Sequence, residues 1–136
     1  MTIKRQLQPT HNSCVSTCIA MLADVPVVRV VEKWNDLYHL EPYRIMEMFS
    51  DYDILAIPHS TVVSSLYYGQ VYLITVGSLN ILHGLHQLLV DMRGLKPKVF
   101  DPGMNHGECY YTWELLKELG CWSVDFRILD CPAMRD

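Results

Sequence analysis

The first third of the chain repeats its apolar residues at helical spacing. Cys14, Cys18, Met21 and Leu22 fall on one face of a 3.6-residue period, with Val15 and Ile19 beside it, so the pattern predicts a helix over 14–23 with Ser13 as its N-cap. Asp24 and Pro26 then open a second helix, about 26–37, and Glu41-Pro42 a third, about 42–50. The short run Ile54-Leu55-Ala56-Ile57 is strand-like and stops at Pro58.

Beyond Ser60 the pattern changes. Gln70–Val76 is rich in β-branched and aromatic residues and ends in Gly77-Ser78, which reads as a strand. His86–Met92 is a second strand, 93–97 a turn, and Lys98-Val99-Phe100 a third strand ended by Asp101-Pro102-Gly103. Thr112–Leu119 reads as a short helix closed by Gly120, and Trp122–Leu129 alternates as a last strand. Helices first and strands later argue for an α+β fold, helices packed on an antiparallel sheet, in one domain spanning 1–136.

Composition narrows the function classes. Half of the 136 residues are hydrophobic and 19% charged, which suits a packed core rather than disorder. Net charge is −4 and the eleven Lys and Arg are scattered, so a nucleic-acid partner is not expected. Met1–Gln6 carries no apolar stretch after its charges, and the apolar runs are too short for a membrane span, so neither a secretory signal nor membrane insertion is expected. Five irregularly spaced cysteines argue against a disulfide framework and for a reducing cytoplasm.

The junction at Cys14 is where chemistry enters. A polar loop, Gln8 to Ser13, ends there and the helix begins, so the thiol sits at the positive end of the helix dipole, which favours the thiolate. Gln8, six residues earlier, is placed to offer its amide N–H to an oxyanion together with a backbone N–H; Gln6 is its rival. A thiolate needs a base and a group to orient that base. If 86–92 and 98–101 form a hairpin, His86 and Asp101 lie side by side at its open end; His83 is the competing base. Such chemistry needs no cofactor or metal.

Gln8, Cys14 opening a helix, the 70–76 strand, His86 opening an apolar strand and Asp101-Pro102 ending the next occur in the order seen in papain-like cysteine peptidases. The set is most similar to the bacteriocin-processing (double-glycine leader) peptidases and their stand-alone relatives. In two places the chain departs from that pattern: Asn12-Ser13 precede and Val15 follows the cysteine, and Leu85 separates His86 from Gly84. The resemblance implies a papain-like fold and a Cys14-His86-Asp101 triad with a Gln8 oxyanion hole. It implies a protein or peptide substrate and cleavage of a peptide or isopeptide bond. Deamidation or acyl transfer by the same triad, and a non-catalytic peptide-binding module, are the alternatives.

Other residues have plainer readings. Cys18 is read as core, with a redox partnership to Cys14 as the sharper alternative. His11, Cys14, Cys18, His106 and Cys109 contain the makings of a zinc site but not its usual spacing. His39, His59 and His106 read as surface residues. Tyr67, Tyr68, Tyr110 and Tyr111 read as core or rim, with Tyr110, Tyr111 and Trp113 close enough to Asp101 in sequence to edge a cleft.

Overall fold

The computed structural model describes residues 2–103 and 109–135. Five strands form one antiparallel sheet in the order β1-β5-β2-β3-β4: β1 Leu55–Val63, β2 Val71–Gly77, β3 Leu85–Asp91, β4 Lys98–Phe100 and β5 Trp122–Asp130. Helices α1 (Cys14–Ala23), α2 (Val27–Val30), α3 (Asp36–Leu40) and α4 (Ile45–Asp51) precede it, and α5 (Trp113–Leu119) lies between β4 and β5. The α+β reading, with N-terminal helices and an antiparallel sheet, is therefore what the chain adopts.

Each face of the sheet has its own core. On one, Val71, Leu73, Leu89 and Ile128 pack against Ile19, Leu22, Met48 and Phe49 of the helices. On the other, Tyr72, Ile74, Leu88 and Val124 pack with Leu116 of α5. The two-residue period of β2 explains the split, since successive side chains alternate between faces. Helix α1 is buried almost all round, from Val15 to Ala23, so it is a central helix rather than an amphipathic surface one.

Three local expectations are corrected. Ser13 makes no side-chain cap on α1; its buried hydroxyl turns back to donate to the Thr10 carbonyl (2.9 Å) and accept the Thr10 N–H (3.1 Å), closing the 10–13 loop instead. The second helix is not regular. It runs from Val27 to Leu40 with a π-helical turn over Val31–Asn35, which buries Trp34 and turns Asn35 towards α1. There Asn35 accepts the Ser16 hydroxyl (2.9 Å) and donates to Asn12 (3.3 Å), pinning the loop before Cys14. Finally, Pro58 does not end β1. The strand is an edge strand that pairs only with β5, and its register shifts between Pro58 and Thr61, so a missing N–H is tolerated there.

Candidate active site

The site lies where the first turn of α1 meets the start of β3. Strand β4 pairs with β3 only from Leu89 to Asp91, so the β3 edge at Gln87 is left to α1. At that edge the Gln87 carbonyl accepts the buried Cys18 thiol (3.7 Å), and the Gln87 backbone bonds to the Cys14 sulfur. Cys18 is thus a core anchor of the helix, and burial pushes its thiol pKa well up, away from reactivity. Asp101 follows directly on β4, within the segment that folds back beside His86.

His86 stands between Cys14 and Asp101. Its Nε2 is 2.6 Å from Asp101 Oδ1, and a hydrogen bond joins the ring to the Cys14 sulfur. With Nε2 engaged by the carboxylate, Nδ1 is the ring nitrogen left for the thiol. Burial works against a charged His86, but the hydrogen bonds to Asp101 and Cys14 outweigh it and raise its pKa from 6.5 to about 9. At Cys14 burial likewise opposes the charge, and the bonds to His86 and to the Gln87 and Val15 backbone overcome it, so the thiol pKa is lowered. The two shifts favour a thiolate–imidazolium pair at neutral pH.

Asp101 is held from several sides. Only 2% exposed, it accepts the Gly103 N–H at Oδ1 (2.7 Å) and the Tyr111 N–H at Oδ2 (2.7 Å), besides His86. Arg5 bonds the Val99 carbonyl (2.8 Å) and reaches the Asp101 carbonyl (3.4 Å). The Gln8 N–H donates to Pro102 (2.7 Å), which fastens the N-terminal loop to this segment. Gly103 packs against the His86–Asp101 pair so closely that a Cβ there would meet Asp101 Oδ1 at 3.2 Å and His86 Nε2 at 3.3 Å.

The two glutamines part ways. Gln6 spends both ends on structure, donating to Val25 (2.7 Å) and accepting the Val27 N–H (2.8 Å) at the start of α2. Gln8 lies in a cavity of about 220 Å³ together with His86 and Gly103. One of its amide hydrogens goes to the Thr10 carbonyl (2.8 Å), which leaves the other available, and its Oε1 is buried without a partner among the described residues. The histidines part ways too. His83 is exposed on the β2–β3 loop, in a left-handed backbone conformation (φ 60°), while His86 joins Cys14 and Asp101.

A second cavity, about 310 Å³, also reaches His86 and is lined by Cys14, Val15, Tyr38, Pro42, Thr75 and Gln87 among others. Both cavities share Leu85 and His86. His39, read as a surface residue, is exposed but edges this second cavity, and its Nε2 bonds the Asn12 carbonyl. Tyr110 and Trp113 line a separate hollow with Arg5 and Lys96 rather than either of these. Among the described residues no group of three or more His, Cys, Asp or Glu is arranged to hold a metal; His106 lies outside them.

Sequence reasoning missed Gly103, Tyr111, Gln87 and the role of Arg5. Gly103 had a local signal, the Asp-Pro-Gly turn, and Tyr111 its nearness to Asp101 in sequence, though not the part its backbone N–H plays. The others act through backbone atoms or from across the fold. No known protein family, curated protein or solved structure matches this chain.

Proposed function

We propose that the protein is a thiol-dependent hydrolase of peptide or isopeptide bonds, of the papain-like kind that the order of Gln8, Cys14, His86 and Asp101 resembles. The observation that carries the reading is His86 bonded on one side to a buried carboxylate and on the other to a helix-start thiol of lowered pKa.

In this reading the Cys14 sulfur attacks the carbonyl carbon and the carbonyl oxygen becomes an oxyanion. The free amide N–H of Gln8 and the Cys14 backbone N–H, which as a first-turn group of α1 has no intrahelical acceptor, stabilise that charge. The His86 imidazolium gives its proton to the leaving amine, and the C–N bond breaks to leave a thioester. Neutral His86 then takes a proton from water, hydroxide adds to the thioester carbonyl, and the C–S bond breaks to release the carboxylic acid and restore the Cys14 thiolate beside the His86 imidazolium. Asp101 holds the ring throughout.

The test is labelling of Cys14 with iodoacetamide, mapped by mass spectrometry, beside hydrolysis of a general peptide library. Selective alkylation of Cys14 at neutral pH that is lost in His86→Ala, with cleavage abolished in Cys14→Ala, supports the reading. A Cys14 no more reactive than the exposed Cys121 overturns it. Mass shifts in treated proteins separate cleavage from deamidation or acyl transfer, which share the acyl-enzyme step and differ only in acceptor.

A further inference from the structure

The floor of the cavity beside Cys14 is made almost wholly of hydrogen-bond acceptors. Thr75 and Gln87 face each other across β2 and β3, and both line the cavity. The pairing of β2 with β5 passes from Leu73–Phe126 to Ile74–Val124, so Asp125 is the extra residue of a β-bulge. That bulge re-aims its side chain to the Thr75–Gln87 side of the sheet. The Thr75 hydroxyl donates to Asp125 Oδ2. Gln87 Nε2 donates to the Ile74 carbonyl (2.7 Å) and to the same Asp125 oxygen (3.1 Å).

These bonds use up the side-chain donors of Thr75 and Gln87. The Thr75 proton is committed, so its oxygen shows only lone pairs. Both amide hydrogens of Gln87 are committed, and its Oε1 accepts no hydrogen bond among the described residues, although Gln87 is only 8% exposed. Behind both stands a carboxylate with no salt-bridge partner among the described residues. No Lys or Arg lines either cavity at His86. Val15, Pro42, Leu85 and the Tyr38 ring supply apolar wall, with His39 at the rim and His86 beside Cys14. The Tyr38 hydroxyl, which lines the same cavity, has its pKa raised by burial and then by Cys14 and Asp125, so the cavity wall feels the Asp125 charge.

An acceptor-only floor under apolar walls suits a donor-rich cation on a hydrocarbon stem. We propose that this cavity is the side-chain subsite of the enzyme and takes a Lys or Arg of the substrate beside the scissile bond, with Asp125, through Thr75 and Gln87, as the specificity-determining group. The inference rests on the thiol-hydrolase reading and names the substrate class for that same site.

The first measurement needs no turnover. Cys14 is labelled with 2-aminoethyl methanethiosulfonate (a cation) and with 2-sulfonatoethyl methanethiosulfonate (an anion). In each case the thiolate attacks the sulfenyl sulfur, a mixed disulfide forms and methanesulfinate leaves. In the wild type the cation reacts faster. In Asp125→Asn the cation-over-anion rate ratio at Cys14 falls roughly tenfold, the scale of one partly screened charge pair. Asp125→Glu keeps the charge and keeps the preference, which separates loss of charge from loss of fold. The second measurement compares kcat/KM for peptides differing only by lysine or norleucine. The lysine peptide loses about tenfold more than the norleucine peptide in Asp125→Asn. A ratio unchanged in Asp125→Asn, or equal turnover of both peptides by the wild type, overturns the inference and leaves the hydrolase reading standing. Failure of both reagents to modify Cys14 overturns the hydrolase reading and the inference with it.

Discussion

Asp101→Asn is the sharpest test of how the site is held. Asp101 is nearly inaccessible, and its two oxygens accept from His86, Gly103 and Tyr111. The asparagine keeps the shape but has one acceptor oxygen. If that oxygen stays with His86 and Gly103, the new NH2 group faces the Tyr111 N–H, donor against donor, and one buried N–H loses its partner at about 1–3 kcal/mol. The electrostatic loss is separate. Lifting His86 from 6.5 to about 9 corresponds to roughly 3 kcal/mol in favour of the charged ring, shared between Asp101 and Cys14. Removing the carboxylate gives up the larger part of that preference, so the imidazolium weakens and the Cys14 thiol rises. At 1.4 kcal/mol per tenfold, the second-order rate of Cys14 alkylation at pH 7 falls roughly 10- to 100-fold. Iodoacetamide rates measured across pH, with the modified peptide quantified by mass spectrometry, read this directly. A rate at pH 7 and a thiol titration curve both equal to wild type would refute the electrostatic account.

Further outcomes follow from the same contacts. Gly103→Ala puts a methyl group 3.2–3.3 Å from Asp101 Oδ1 and the His86 ring, so Cys14 alkylation drops about tenfold while the melting temperature moves little; equal rates would show that the packing is slack. Gln6→Ala removes two structural hydrogen bonds and lowers unfolding free energy by about 2 kcal/mol by denaturant titration, whereas Gln8→Ala leaves Cys14 alkylation in place and cuts peptide turnover by about 10²–10³. For pH, the sign follows from His86: its folded pKa lies above its ordinary value, so its stabilisation is complete below about 6.5 and is lost as pH rises toward 9. In a Cys14→Ala background, which removes the opposing thiol titration and also the share of the His86 shift that Cys14 supplies, unfolding free energy therefore declines above about pH 6.5, over a window that closes below 9. Adding Asp101→Asn flattens that decline, and a persistent slope in the double variant would point to another group.

The strand pattern was legible because Val71–Val76 and Leu88–Val90 carry the β-branched and apolar side chains that two buried sheet faces demand. Helix α1 was legible from its 3.6-residue period. Pro58 misled because its local meaning, a strand stop, depends on whether the strand is an edge, and neighbours in space decide that. Ser13 misled because a cap and a loop-closing hydroxyl use the same residue type. The π-turn at Val31–Asn35 had no local signature at all; packing of Trp34 and the bonds of Asn35 across to Ser16 and Asn12 set it.

By itself, then, the sequence determined the element types, the antiparallel α+β class and the short set of residues with the right chemistry, since periodicity and side-chain functionality are properties of the chain read in order. The tertiary structure alone separates His86 from His83, because His86 meets Cys14 and Asp101 while His83 lies exposed on its loop, and Gln8 from Gln6, because Gln6 is spent on Val25 and Val27 while Gln8 keeps one amide hydrogen in the cavity at His86. It alone brought the Tyr111 N–H and Arg5 to Asp101, and, through one extra residue in β5, Asp125 to Thr75 and Gln87. Those contacts join segments ten to nearly a hundred residues apart, and no spacing along the chain encodes them.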